Sequence, residues 1–168
     1  FYFDDILTGQ VSRVEILKGN QSSMYGSGAM GGAINIFSKQ GNGEFKKDYS
    51  YSTGSDKMHS LNLSYGGSDN KKDFYIGLER FQVDGLSAMT HNDESDPYKN
   101  HTLLTNYGYK LSDKLDYRAI YKLTSSKLKY DAINESFDQI DNKSHEKDSS
   151  ATFQINYKAI NNLESSLI

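Results

Sequence analysis

Three glycines, four histidines and two runs of carboxylates are the groups in this 168-residue chain whose types and spacing could do chemistry. Gly26, Gly28 and Gly31 satisfy G-x-G-x-x-G. That spacing grips a dinucleotide when a strand leads in, a helix opens at the third glycine and an acid stands about 20 residues on. Here Ala33 to Phe37 (AINIF) alternates as a strand where the helix should be, so no helix N-terminus is available for a pyrophosphate. The glycines read instead as positions of positive φ and close backbone packing. Asp93, Glu94 and Asp96 form one acidic group; Asp131, Glu135, Asp138 and Asp141 form another. Clustered carboxylate oxygens suit Ca²⁺, but EF-hand spacing is missing, and acidic loops are commonly just solvated. His59, His91, His101 and His145 are isolated, with no pair placed to hold haem. Ser, His and Asp occur at no spacing that makes a nucleophile elbow or a metal-binding helix. The chain therefore reads as a non-enzyme.

The composition bounds what could position these groups. Hydrophobic residues are 36 % of the chain, below the usual share of about 45–50 %. Thirteen Tyr and eight Phe argue against disorder. Strands with one apolar and one polar face have this mixture, and a barrel wall is made of such strands. Net charge is −3, from 19 basic and 22 acidic residues, which offers no basic surface for nucleic acid. Cysteine is absent, so there is neither a disulfide framework nor a thiolate metal site. No run approaches the roughly 18 apolar residues of a membrane helix. FYFDDILTGQ at the start has neither the charged nor the apolar region of a signal peptide. The expectation is an internal piece of a longer protein.

Along the chain, Ser12 to Lys18 alternates with Val14 and Ile16 on one side and Arg13 and Glu15 on the other, a short strand. Gly19 to Gly32 has loop chemistry, AINIF follows, and Lys39 to Gly43 is a turn and a domain boundary. Six alternating segments come next. Glu44–Gly54 sets Phe45, Tyr49 and Tyr51 against Lys46, Asp48, Ser50 and Ser52, with Lys47 near one end of the aromatic face, placed to snorkel. Met58–Gly66 carries Leu61, Leu63 and Tyr65. Asp73–Asp84 carries Phe74, Ile76 and Leu78, then slips phase to Phe81 and Val83, which predicts a bulge or a strand leaving a membrane band. His101–Lys110 carries Leu103, Thr105, Tyr107 and Tyr109. Lys114 to about Tyr130 carries Leu115, Tyr117, Ala119, Tyr121 and Leu123. Lys147–Lys158 carries Ala151, Phe153, Ile155 and Tyr157. Leu163 begins a seventh.

Period-two segments of about ten residues with aromatic ends are the pattern of a transmembrane β-barrel. The connections add an independent sign. Those at 55–57, 67–72 and 112–113 are short; those at 85–100 and 131–146 are long and polar, so that two of the three connections expected outside are the long ones. Bacterial barrels keep periplasmic turns short and external loops long. A soluble β-sandwich has no reason to sort loop lengths by parity.

The order V-E-I-L-K-G at Val14–Gly19, then Q-S-x-x-Y-G-S-G-A-x-G-G-x-I-N-I at Gln21–Ile36, resembles the last part of the plug domain of TonB-dependent outer-membrane receptors. The family commonly has Pro after the first Gly; Asn20 stands here, which predicts a looser turn. The resemblance implies a mainly β fold: the C-terminal part of an α/β plug at 1–40, and at 44–168 the first six strands and the start of the seventh of an antiparallel barrel of about 22 strands. It implies that Arg13, Glu15, Lys18, Gly19, Gln21, Ser22, Tyr25, Gly26, Gly28, Gly31, Gly32 and Asn35 serve plug structure and packing in the lumen. Arg13, Glu15 and Lys18 are its candidates for polar contacts with the wall, against the alternative of solvated charge.

Asp84–Thr102 resembles an outer loop of cobalamin receptors within that family, through Asp84, Gly85, Ser87 and Ala88, then Asp96, Tyr98, Asn100 and Thr102; Met89 departs from the pattern. Ser87, Asp96, Tyr98 and Asn100 are therefore the candidate substrate contacts. Calcium in the outer loops, at Asp93, Glu94, Asp96, Asp131, Asp138 and Asp141, is a further implication, and no other cofactor is expected. The implied partners are TonB, through an N-terminal plug segment outside this sequence, the lipid of the outer membrane, and cobalamin or another large nutrient complex. The implied activity is active uptake of a scarce nutrient. A ferric-siderophore or haem receptor is the alternative within transport; an outer-membrane adhesin or a soluble β-rich binding module is the alternative outside it.

Overall fold

A computed structural model describes residues 5–85, 95–133, 139–160 and 163–167, with the backbone alone at 131–133, 139–141, 159–160 and 163–167. Two antiparallel sheets follow one another. Strands β1 (Val11–Lys18) and β2 (Gly32–Ser38) pair from Lys18↔Gly32 to Val11↔Ser38, with an irregularity between Val11 and Arg13. Seven further strands pair strictly in chain order: β3 (Lys46–Thr53), β4 (His59–Ser68), β5 (Lys72–Val83), β6 (Tyr98–Lys110), β7 (Leu115–Ile133), β8 (Gln139–Ile160) and β9 (Leu163–Leu167). This is an up-and-down meander, the way a barrel wall is built.

Alternation fixes two faces on β3–β8. One face carries Tyr49, Leu63, Leu78, Leu103 and Leu123 in a single cross-strand row. The exposure of Tyr49 (85 %), Leu78 (51 %) and Phe153 (56 %) shows that no protein covers this face here. Aromatic rings crowd its end nearest the plug: Phe45 on Tyr65, Tyr65 on Phe74, Tyr109 on Tyr117 and Tyr117 on Phe153, with centroids 5.5–6.4 Å apart. A row of rings with one wet edge marks a membrane interface. The opposite face holds the buried Tyr75, Glu79, Asn100, Thr102, Leu104 and Asn106. It is therefore the inner face, against the plug.

The register of β5 runs unbroken on both neighbours, so its phase slip is not a bulge. Phe81 simply joins the inner face, 6.1 Å from the Tyr98 ring, while Arg80 and Gln82 take the outward positions. The strand has left the apolar band, and its outward side has become polar.

The long connection expected at 131–146 is mostly ladder. Ile133 pairs with Gln139, and the hairpin continues without a break to Leu115↔Tyr157. β7 has 19 residues and β8 has 22, whereas a membrane crossing takes about 9–11. Polarity made this stretch look like a loop. Above the membrane both faces are wet, so apolar alternation lapses while the hydrogen-bond ladder persists. β6 likewise begins at Tyr98, three residues before the expected His101.

Candidate functional site

The plug motif is built on the β1–β2 hairpin. Its connection is tighter than a loop. Ser22–Tyr25 forms one helical turn, and Gly26 N–H closes on the Ser22 carbonyl at 3.0 Å. Asn20 does not loosen the turn. Its side-chain oxygen accepts the Ser22 N–H at 2.9 Å, an Asx turn. Gln21 N–H reaches the Ala29 carbonyl at 2.9 Å, and the Asn35 amide donates to the Tyr25 hydroxyl at 3.0 Å. Four motif residues are thus joined in two pairs within the hairpin. Gly32, at φ 148°, sits where a Cβ would strike the Leu17 carbonyl.

The glycines do not all share that reason. Gly19 and Gly26 have φ near 86°, whereas a Cβ on Gly28 or Gly31 would meet nothing within 4 Å. Close approach to the wall is made by two other glycines. A Cβ on Gly9 would fall against the Asn62 amide and 2.6 Å from a Glu79 carboxylate oxygen; one on Gly41 would strike the Gly67 and Phe74 carbonyls. Arg13 and Glu15 pair with each other at 2.9 Å, with side chains 61 % and 40 % exposed, and Arg13 lies 4.1 Å over the Phe37 ring. Lys18 is exposed.

The plug is held to the wall by polar groups. Gln10, in a 3₁₀ turn at Thr8–Gln10, is buried, and its amide nitrogen donates to the carbonyls of Gly77 on β5 and Thr102 on β6, each at 3.1 Å. Gly9 N–H donates to the buried Glu79 carboxylate. At the outer end Tyr98 OH donates to Asp5 at 2.7 Å, and the Asn100 amide reaches the Asp5 carbonyl at 3.2 Å and Tyr98 OH at 2.8 Å. Thr102 OH then donates to Asn100 at 2.9 Å. Three residues singled out in the outer segment thus meet a plug residue. Asn100 has no exposed surface, and its bonds here are to the protein itself.

At the other end, where the chain leaves the plug, the Asn106 amide donates to the Lys39 carbonyl at 3.2 Å. Asn106 accepts Arg118 Nη1 at 2.6 Å, and Arg118 forks onto both Asp73 oxygens at 2.8 Å. Gly108 lies between the two charges, where a Cβ would fall 2.7 Å from an Arg118 nitrogen.

Asp96 lies at the base of the outer segment, its backbone packed on Gly85 (φ 67°), and Pro97 accepts the Lys129 N–H at 3.1 Å. Ser87, Asp93, Glu94 and Asp138 lie outside the described residues, as do the side chains of Asp131 and Asp141. Among the described residues no three His, Cys, Asp or Glu side chains converge as metal ligands would. Above the plug an open concavity of about 540 Å³ is lined by Asp5, Tyr98, Ser126, Leu128, Tyr130 and Glu146.

Gln10, Gly9, Glu79, Asn106 and the Asp73–Arg118 pair are the site residues that sequence reasoning missed. Asp73, Gly108 and Arg118 share one cross-strand row. Counting register outward from the short turns at 69–71 and 111–114 would have found it.

A hairpin seated by polar contacts on the inner face of an in-order antiparallel wall defines a plugged outer-membrane barrel. Residues 1–33 match the family described as the TonB-dependent Receptor Plug Domain. The chain is 30 % identical over 120 residues to the vitamin B12 transporter BtuB of Photobacterium profundum, covering 68 % of this chain and 20 % of that protein. It is 26 % identical to the BtuB of Vibrio vulnificus, covering 96 % of this chain and 28 % of that protein. The crystal structure of the siderophore receptor PiuA from Acinetobacter baumannii superposes with a TM-score of 0.73, over 94 % of this chain and 25 % of that one, at 16 % identity; at that identity the likeness concerns the fold. The chain belongs to the TonB-dependent outer-membrane receptors, a family of transport receptors, and lies in the outer membrane. It spans a fifth to rather more than a quarter of the curated relatives' length.

Proposed function

We propose that the whole receptor takes up cobalamin, with plug movement driven by TonB. The observation that carries this is the outer stem of β6. The residues that resemble the cobalamin-receptor loop there, Tyr98, Asn100 and Thr102, form one hydrogen-bonded chain onto plug residue Asp5. A nutrient settling above Tyr98 would touch the wall and the plug together. Its binding energy could then bias the plug, which is what coupled uptake needs. The two BtuB relatives support the cobalamin reading, and the carboxylate-rich outer segments suit calcium as part of it.

Equilibrium binding of cyanocobalamin to the purified whole receptor tests the reading, with and without a calcium chelator. Saturable binding that weakens about tenfold or more in Tyr98→Ala, with chelation weakening it further, is expected. Saturable binding of a ferric siderophore with none of cyanocobalamin would replace this reading with the siderophore one.

A further inference from the structure

The plug does not cover the inner face evenly. The hydrogen bonds that seat it on the wall, described above, all end on β5 or β6. Beside them a concavity of about 510 Å³ opens between Lys39, Gln40 and Asn42, where the chain leaves the plug, and the inner face of β3–β5. Its wall side runs from the cross-strand row Lys46–Gly66–Tyr75 to the row Ser50–Asn62, about 13 Å along the strands. It lies deeper than the concavity above the plug. Asn62 pairs with Glu79, four residues down β5 from Val83, which pairs with Tyr98. No Leu, Ile, Val or Met lines it, whereas Leu104 is buried on the same face of β6.

One aromatic ring is built into this lining. Tyr75 is only 6 % exposed. Its ring lies along the wall between Gly66 and Gly77: a Cβ on Gly66 would fall 3.1 Å from the ring, and one on Gly77 2.8 Å from the hydroxyl oxygen. The hydroxyl stands beside Ser64 but makes no hydrogen bond of good geometry, and a buried hydroxyl without a partner is costly. A polar hollow with an unpaired hydroxyl on its wall suits a guest that brings hydrogen-bonding groups, as the carboxamide-bearing rim of cobalamin does. At about 510 Å³ it admits one flank of so large a nutrient, and the rest needs the plug to shift. Gln10, Asp5 and Lys39 hold the plug to β5 and β6, so the side left to open is this one. We propose that the nutrient passes the plug along β3–β5, and that this concavity, with Tyr75, Ser64 and Asn62, is a transit site for its hydrogen-bonding flank. The inference rests on the uptake reading above.

The test uses the whole receptor, freed of any native cysteine, in cells and after purification. Ser64→Cys is labelled with sulfonatoethyl methanethiosulfonate, which leaves a charged group in the concavity. Before labelling, the variant should take up cyanocobalamin as wild type does. After labelling, uptake should be largely lost while equilibrium binding of cyanocobalamin at the outer face is unchanged. Ser150→Cys, at an exposed position on the inner face of β8, should keep both when labelled. If Ser64→Cys fails to insert, Ser50→Cys, at an exposed position in the same lining, serves in its place. If the reagent cannot reach the introduced thiol, another part of the plug fills the space and the proposal is overturned. Full uptake after labelling, an equal loss at Ser150, or a loss of binding along with uptake would overturn it too. A wild type that binds no cyanocobalamin would instead defeat the uptake reading, and this route with it.

Discussion

Arg118 provides the sharpest energetic test. Its guanidinium makes three bonds, two to Asp73 at 2.8 Å and one to Asn106 at 2.6 Å. The two charged side chains are only 19 % and 21 % exposed. A hydrogen bond to a charged group contributes about 1.5–3 kcal/mol, and leaving a charge partly buried without its partner adds to the loss. Arg118→Ala should therefore destabilise the receptor by about 2–4 kcal/mol. Coupling to Asp73→Ala in a double-mutant cycle should be about 1.5–3 kcal/mol. Arg118→Lys keeps the charge but loses the fork, and should fall between. Lys46 and Asp48, 3.8 Å apart and 70 % and 63 % exposed, form the internal control; an exposed pair is worth about 0–1 kcal/mol. Urea titration of the vesicle-embedded receptor, followed by far-UV circular dichroism, reads both cycles. A coupling below about 0.5 kcal/mol at Asp73–Arg118, or one no larger than at Lys46–Asp48, would refute the claim that this fork ties the wall together beneath the plug.

Further outcomes follow from single positions. Gly41→Val should unseat the plug, because its side chain would run into the Gly67 and Phe74 carbonyls; faster proteolysis of residues 1–40 than of the wall is the readout, and wild-type rates would count against the packing described. Gly32→Ala places a side chain at φ 148° against the Leu17 carbonyl, so about 1–3 kcal/mol of strain should appear as a lower urea midpoint for the plug. Asp69 accepts the Lys71 and Lys72 N–H groups, which hold its carboxyl below the ordinary carboxylate range. Its folded pKa is depressed, so the turn is held fully above the unfolded carboxylate value and loosens as pH falls through the folded one. Hydrogen exchange at Lys71 and Lys72 should quicken across that acid window in wild type and show no such step in Asp69→Asn.

The strand sequence was legible because the membrane enforces strict alternation: Leu61, Leu63 and Tyr65, or Tyr117, Ala119 and Tyr121, leave no other reading. The signal ended where the membrane ended. Lys143 to Glu146 lies on a paired strand, but water on both sides removes the pressure for period two, and composition alone suggested a loop. In the plug, the motif pointed to the hairpin and to Tyr25 and Asn35, which do meet. It did not point to Gln10 or Gly9, because a lone Gln in a polar stretch carries no sign of the two wall carbonyls it reaches. Asn106 and Arg118 were visible only as polar residues on a polar face. Their partnership with Lys39 and Asp73 depends on register, and register is a property of the pairing, not of either strand alone.

The most direct measurement is uptake of radiolabelled cyanocobalamin by cells that lack their own cobalamin receptor and express the whole receptor to which this chain belongs. Accumulation that depends on TonB, and that falls when Tyr98 and Asn100 are replaced by Ala in a receptor still inserted in the outer membrane, is the predicted result. A correctly inserted receptor that accumulates no cobalamin, or accumulates it equally without TonB, would contradict the account.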